Sequence, residues 1–152
     1  MVAEIAIRLR LIGIFPGLAQ APFDLTSPET LHYNCIAWAA GIDAEYWWPG
    51  SRHWPIKGKA VTRKSFVKAF GVLGYSECEN SDLENDFDKI ALYELGGAPT
   101  HASRQMDDGR WTSKLGGLQD ISHTLEALKG DKYGEPVVFL KRAKNYGQNV
   151  AQ

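Results

Sequence analysis

"KIALYELGGAPTHASRQMDDGRWTSKLG", Lys89–Gly116, carries three strand-like runs in close succession: "KIALYEL", "PTHASRQM" and "RWTSKLGG". The "DDG" between the last two is a strong hairpin signal, because Asp-Gly supplies the positive φ that a tight turn needs. A two-residue turn at Asp108-Gly109 sets Gln105 opposite Thr112, Ser103 opposite Lys114 and His101 opposite Gly116, all on one face. The other face then holds Ala102, Met106, Trp111 and Leu115. A three-residue loop shifts the register and puts Trp111 and Leu115 beside His101.

Working outward, "EPVVFLKR" reads as a further buried strand and "ISHTLEALKG" as a short helix, with residues 143–152 a frayed tail. On the other side, "TRKSFVKAFGVLGY" is the clearest helix: Phe66, Val67, Phe70 and Leu73 follow helical spacing, and Gly74 offers a stop. Lys57, Lys59, Arg63 and Lys64 form a solvated face. The acidic "SECENSDLENDFD" reads as a solvated loop, and "AEYWWPGSRHWPIKGKA" as an aromatic loop able to wall a groove. Glu4 to Leu11 alternates Ile5, Ile7, Leu9 and Leu11 with Ala6, Arg8 and Arg10, the pattern of a half-buried strand. "IFPGLAQAPFDLTSP" follows as an ordered loop. The expectation is a single α+β domain over 1–152, with helices packed on a small antiparallel sheet. Residues 1–30 hold the strand and loop, 31–75 the helical half with the aromatic loop, and 86–142 the sheet half.

The composition is that of an ordinary soluble domain: 44% hydrophobic, 23% charged and a formal net charge of -1 over 152 residues. Without a basic bias, nucleic acid and anionic membrane are poor partners. "MVAEIAIRLRLIGIF" has charges inside the run a signal peptide would keep apolar, so the cytoplasm is expected, or export as an effector by a dedicated machine. Cys35 and Cys78 are too few for a disulfide framework.

The stretch "HYNCIAWAAG", His32–Gly41, bears on function. Two boundaries fit: Ser27 or Thr30 caps a helix that includes His32 and Tyr33, or Asn34 is the cap and Cys35 falls in the first turn. In the second case the helix start stabilises a thiolate and offers N–H groups to an oxyanion, with Asn34 helping. The thiol needs a base. His32 is too near in sequence and His53 lies in the aromatic loop; His101, on a central strand, is the best candidate. Asp120, His123 or Gln105 would orient its ring, and Trp48 and Trp54 would border a peptide or protein substrate. No C-x-x-C, H-x-x-x-H or phosphate-binding glycine motif is present, so neither metal nor other cofactor is expected.

A cysteine at a helix start followed by strands and a hairpin resembles the papain-like cysteine hydrolases, nearest to the NlpC-type and CHAP-type cell-wall peptidases. "YNCIAWA" is similar to their nucleophile helix and Lys89–Gly116 to their next segment. The resemblance implies a papain-like fold and hydrolysis or acyl transfer at an amide or thioester through a Cys35 thioacyl intermediate, in a cell-wall amidase, toxin or effector. The alternative is a non-catalytic binding module on the same scaffold. Those peptidases usually begin the strand that reads "KIALY" here with their histidine, where this chain has Lys89; His101 falls one strand later. The set "YNCIAWAAG", "THASRQ" and "WTSKLG" more closely resembles short uncharacterised bacterial proteins.

Overall fold

Strands β1 (Asp24–Ser27), β2 (Ser76–Cys78), β3 (Phe87–Leu95), β4 (Ala98–Gln105), β5 (Trp111–Lys114), β6 (Asp120–His123) and β7 (Glu135–Ala143) form one open sheet. Every pairing in it is antiparallel, in the order β1-β6-β5-β4-β3-β7-β2. The structure, a computed structural model, describes residues 2–146. The architecture is α+β, and the sheet is larger than the small one expected.

Both faces of the sheet are covered, which is why β3 reads as a continuous apolar run and not as an alternation. Helices α2 (Cys35–Ala39) and α3 (Arg63–Gly71) lie on one face with the tryptophan loop. There Ile36, Trp47, Trp54, Phe66 and Phe70 pack on Ile90, Leu92, Ala102, Val138 and Leu140. On the far face, α1 (Val2–Ile14) and two short 3-10 turns, Pro16–Ala19 and Leu125–Leu128, bury Leu11, Phe15, Leu18 and Leu128 against Ala91, Tyr93, Trp111 and Ile121. The sheet therefore separates two cores, and the face on which a strand residue falls decides which residues it can meet.

The segment Glu4–Leu11 is helix, not strand. A run with an aliphatic residue at nearly every second position fits either period; the residues beyond it break the tie. Ile7, Leu11, Ile14 and Phe15 recur every three to four positions and face the sheet, while Val2, Ile5 and Leu9 stay exposed. Helix α3 begins as expected: Thr62 Oγ1 accepts from the Ser65 N–H at 3.2 Å and Ser65 Oγ accepts from the Thr62 N–H at 3.3 Å, a reciprocal capping box.

The hairpin between β4 and β5 takes the three-residue option. The Met106 N–H donates to the Arg110 carbonyl at 2.7 Å, and Arg104 pairs with Thr112 and Gln105 with Trp111. Gly109, at φ 89°, provides the left-handed residue. The register expected from a two-residue turn is corrected by one position.

Three other segments differ from expectation. The acidic stretch contributes β2 and the start of β3, because main-chain pairing with β7 needs no apolar side chain. The expected helix at 121–130 is β6 followed by one 3-10 turn. Part of the expected N-terminal loop is β1, an edge strand on β6. The expected tail is ordered at its start, where the Lys144 N–H donates to the Asp86 carbonyl at 2.9 Å; residues 147–152 lie outside the described residues. Among the described residues no helix is long and apolar enough to cross a membrane.

Candidate functional site

Asn34 is the cap of α2, and Cys35 is the first helical residue. The Asn34 amide oxygen accepts from the Ala37 N–H at 3.2 Å and the Trp47 N–H at 3.1 Å, and its Nδ2 donates to the Trp47 carbonyl at 2.9 Å. These bonds tie the tryptophan loop to the helix start. They also engage the amide that was expected to help an oxyanion.

The expected base is not beside the thiol. Tyr93 pairs with His101, and both point to the far face with Tyr133 and Trp111, whereas Ala102 faces α2 and Cys35. The sheet lies between Cys35 and His101. His123, opposite Trp111, shares the far face, so neither histidine can take a proton from Cys35. The reason is the period of two along a strand: one position in register moves a side chain from one core to the other.

The histidines instead form a buried relay with two serines. His123 Nδ1 donates to the Thr124 carbonyl at 2.7 Å, which leaves Nε2 bare to accept the Ser113 hydroxyl at 2.7 Å. Ser113 Oγ then accepts from His101 Nε2–H at 2.9 Å and from the Ser103 hydroxyl at 2.6 Å. This assignment uses the one donor and two acceptor positions of Ser113. His101 Nδ1 is left as a buried lone pair without a partner among the described residues. Both rings are neutral: burial holds His101 well below the usual imidazole range and lowers His123 to about 4.

What does gather on the Cys35 face is Lys114, Asp120 and Tyr33. Lys114 and Asp120 stand directly opposite one another on β5 and β6, both fully buried. Tyr33, two residues before the thiol, donates its hydroxyl to Asp120 Oδ2 at 2.5 Å, and Lys114 Nζ lies 5.4 Å from the centre of the same ring. Asp120 Oδ1 is buried with no hydrogen-bond partner among the described residues. Thr112 and Ser122 complete a polar floor beside α2, with Thr112 Oγ1 accepting from Trp38 Nε1 at 3.0 Å.

The electrostatics of this group follow from burial. The Cys35 residue is 7% exposed, and desolvation pushes its thiol up to about 11 against the opposing pull of the Ala102, Ile36 and Cys35 N–H groups and of Lys114. Burial lowers Lys114 while Asp120 and Cys35 draw it back up. Burial raises the Asp120 carboxyl, with Tyr33, Ser27 and Lys114 opposing. Lys114 Nζ donates to the carbonyls of Gly116, at 2.8 Å, and Leu118. Two of its N–H donors are engaged by these carbonyls.

The other expected contact residues are structural. Trp48 and Trp54 pack on Phe66 with ring centres 5.4 and 5.2 Å away, so they close the core and do not line a groove. Gln105 lies on the far face and donates to the Ser81 carbonyl at 2.8 Å. His53 pairs with Glu45 at the surface, 3.2 Å apart, and His32 is exposed. Among the described residues no three His, Cys, Asp or Glu side chains gather as a metal-ligand set. Lys114 and Tyr33 were not singled out from the sequence. The only signal for Lys114 is a lysine inside a strand, and its meaning depends on the register of β6.

No curated protein and no solved structure matches the chain. Residues 24–141, which include β1 to β6, most of β7 and the whole Cys35, Lys114, Asp120 and Tyr33 group, match the family described as Domain of unknown function (DUF7689). The chain belongs to that family.

Proposed function

We propose that the protein is a cysteine-dependent hydrolase or acyltransferase acting at an amide or thioester carbonyl, with Lys114 and not His101 as its proton carrier. The observation that carries this reading is the meeting of Cys35, Lys114 and Asp120 on one face of the sheet. Buried titratable groups that shift one another's proton affinity cluster at functional sites. A thiol-bearing helix laid across an antiparallel sheet supports the likeness to papain-like hydrolases.

In this reading the Cys35 sulfur attacks the carbonyl carbon as its proton passes to the Lys114 lone pair. The carbon–nitrogen bond then breaks, Lys114 returns the proton to the leaving amine, and a thioester remains on Cys35. Water attacks the thioester, its proton leaves through Lys114, and the carboxylic acid and free thiol are released. Asp120, held by Tyr33, raises the basicity of Lys114. The substrate is a peptide or protein amide, and the place of action is the cytoplasm or the destination of an exported effector.

One observation favours the second reading, a non-catalytic binding module. The Cys35 thiol is buried and held near 11, as an inert structural cysteine would be. Incubation with p-nitrophenyl acetate and intact-mass analysis separates the two. The enzyme reading expects an acyl adduct on Cys35 in the folded protein. It also expects a rate lower by on the order of a hundredfold in Lys114→Met, and an unmoved pH midpoint in His101→Gln. Acylation of Cys78 alone, or an equal rate in Lys114→Met, overturns it in favour of the binding module.

A further inference from the structure

The two strands beside the thiol part where they could have stayed together. Strand β4 runs back to Ala98 and β5 on to Lys114, yet their ladder ends at Arg104 with Thr112. The Met106 to Arg110 bond sets the phase of this ladder: bonded positions recur two residues on, at Arg104 with Thr112 and next at Ala102 with Lys114. That next rung is missing. No β5 residue is paired with Ala102, whose N–H turns toward β5 in a place buried from water, and the Lys114 carbonyl accepts from the Gly116 N–H at 3.1 Å.

A buried main-chain N–H needs an acceptor. The Cys35 thiol packs in one cluster with Ala102 on the α2 side, and this N–H is the foremost of the groups that draw its proton affinity down. On the opposite side of the sheet the fork is spanned by side chains: His101 and Ser103 of β4 both reach Ser113 of β5, and Ser113 reaches His123 of β6. The relay substitutes for the missing rung. It keeps the strands together without returning the Ala102 N–H to the ladder.

We infer that the Ala102 main-chain N–H is an oxyanion donor of the Cys35 site, and that the His101, Ser103, Ser113 and His123 relay positions it by holding the β4–β5 fork. The assignment rests on the acyl-transfer reading above. When the sulfur bonds to a carbonyl carbon, the carbonyl oxygen gains negative charge within reach of the donor that had drawn down the thiol's proton affinity. The donor is rigid, because a strand carries it, and it needs no reorganisation when the charge appears.

The test replaces Ala102 with lactic acid by nonsense suppression, which exchanges the N–H for an ester oxygen and keeps the methyl group. Two reactions of Cys35 are then compared in the full chain: acylation by p-nitrophenyl acetate, which passes through an oxyanion, and alkylation by iodoacetamide, which does not. The ester is expected to slow acylation by on the order of a hundredfold, at least about tenfold more than it slows alkylation. Equal slowing of both assigns the N–H to the sulfur alone and overturns the inference. Absence of any acyl adduct in the unmodified protein overturns the parent reading and this one with it. Should the ester chain not fold, the wild-type Ala102 amide resonance decides. It is expected to move downfield when Cys35 forms a hemithioacetal with a peptide aldehyde, and an unmoved resonance overturns the assignment.

Discussion

Tyr33 shows how one residue sets the condition of the site. Its hydroxyl donates to Asp120 Oδ2, the first of the influences, with Ser27 and Lys114, that hold the buried carboxyl down against desolvation. Removing the donor leaves a buried acceptor unsatisfied, which costs roughly 1–3 kcal/mol. Tyr33→Phe is expected to lose that much in urea unfolding without changing the fold by circular dichroism. A change within about 0.5 kcal/mol, the range of ordinary surface substitutions, would show that Asp120 has another partner. Much of this was legible residue by residue. Asn34 stands in the sequence as one of two caps for α2, beside Ser27 or Thr30, and the structure takes it; Asp120 reads as a site residue. Tyr33 did not, because nothing local to "HYNC" says that a strand 87 positions away will present a carboxylate to it.

At the level of elements, the helices and strands differ in how far their ends are written locally. Helix α3 is bounded by its capping box, a device within four residues, and its sequence shows it. Thr62→Ala removes the cap, and a loss of about 1 kcal/mol is expected in urea unfolding. The acylation rate of Cys35 should stay the same, since α3 does not touch the polar floor. A slowed rate would mean that α3 and the site are coupled. The edge strands β1 and β2 lack such marks. They are strands because β6 and β7 offer unpaired edges to them, and a short polar segment can accept that offer without any alternation of its own. Helix α1 failed for a related reason: its aliphatic residues fit both periods, and only docking on the sheet selects one.

For the molecule as a whole, the two buried imidazoles imply a dependence of stability on pH. The folded values lie below the ordinary 6.5, at about 4 for His123 and well below 6.5 for His101, so the unfolded chain binds more protons as the pH falls through that window. Stability is full above 6.5 and is lost as the pH drops from there toward the folded values. Each ring contributes a slope of up to about 1.4 kcal/mol per pH unit. Asp120 acts in the opposite direction, because its carboxyl is raised from 3.8 and its contribution falls as pH rises. Two rings outweigh one carboxyl. The melting temperature is expected to fall between pH 7 and pH 4, and the fall should be shallower in a double variant, His101→Gln with His123→Gln. Equal slopes in the two proteins would place the acid sensitivity elsewhere.

Local chemistry along the chain sets the α+β class, the main strands and α3, and narrows the start of α2 to two boundaries, of which the fold takes the Asn34 cap. Each of these rests on residues within a few positions of one another. Only the tertiary structure decided which titratable groups meet the thiol. That choice depends on the parity of β4, β5 and β6 relative to the helix. The parity turns on a hairpin loop of three residues instead of two, because one step along a strand reverses the face. It sent His101 and His123 into the far core and brought Lys114 and Asp120 to Cys35, two pairs that no spacing along the chain distinguishes.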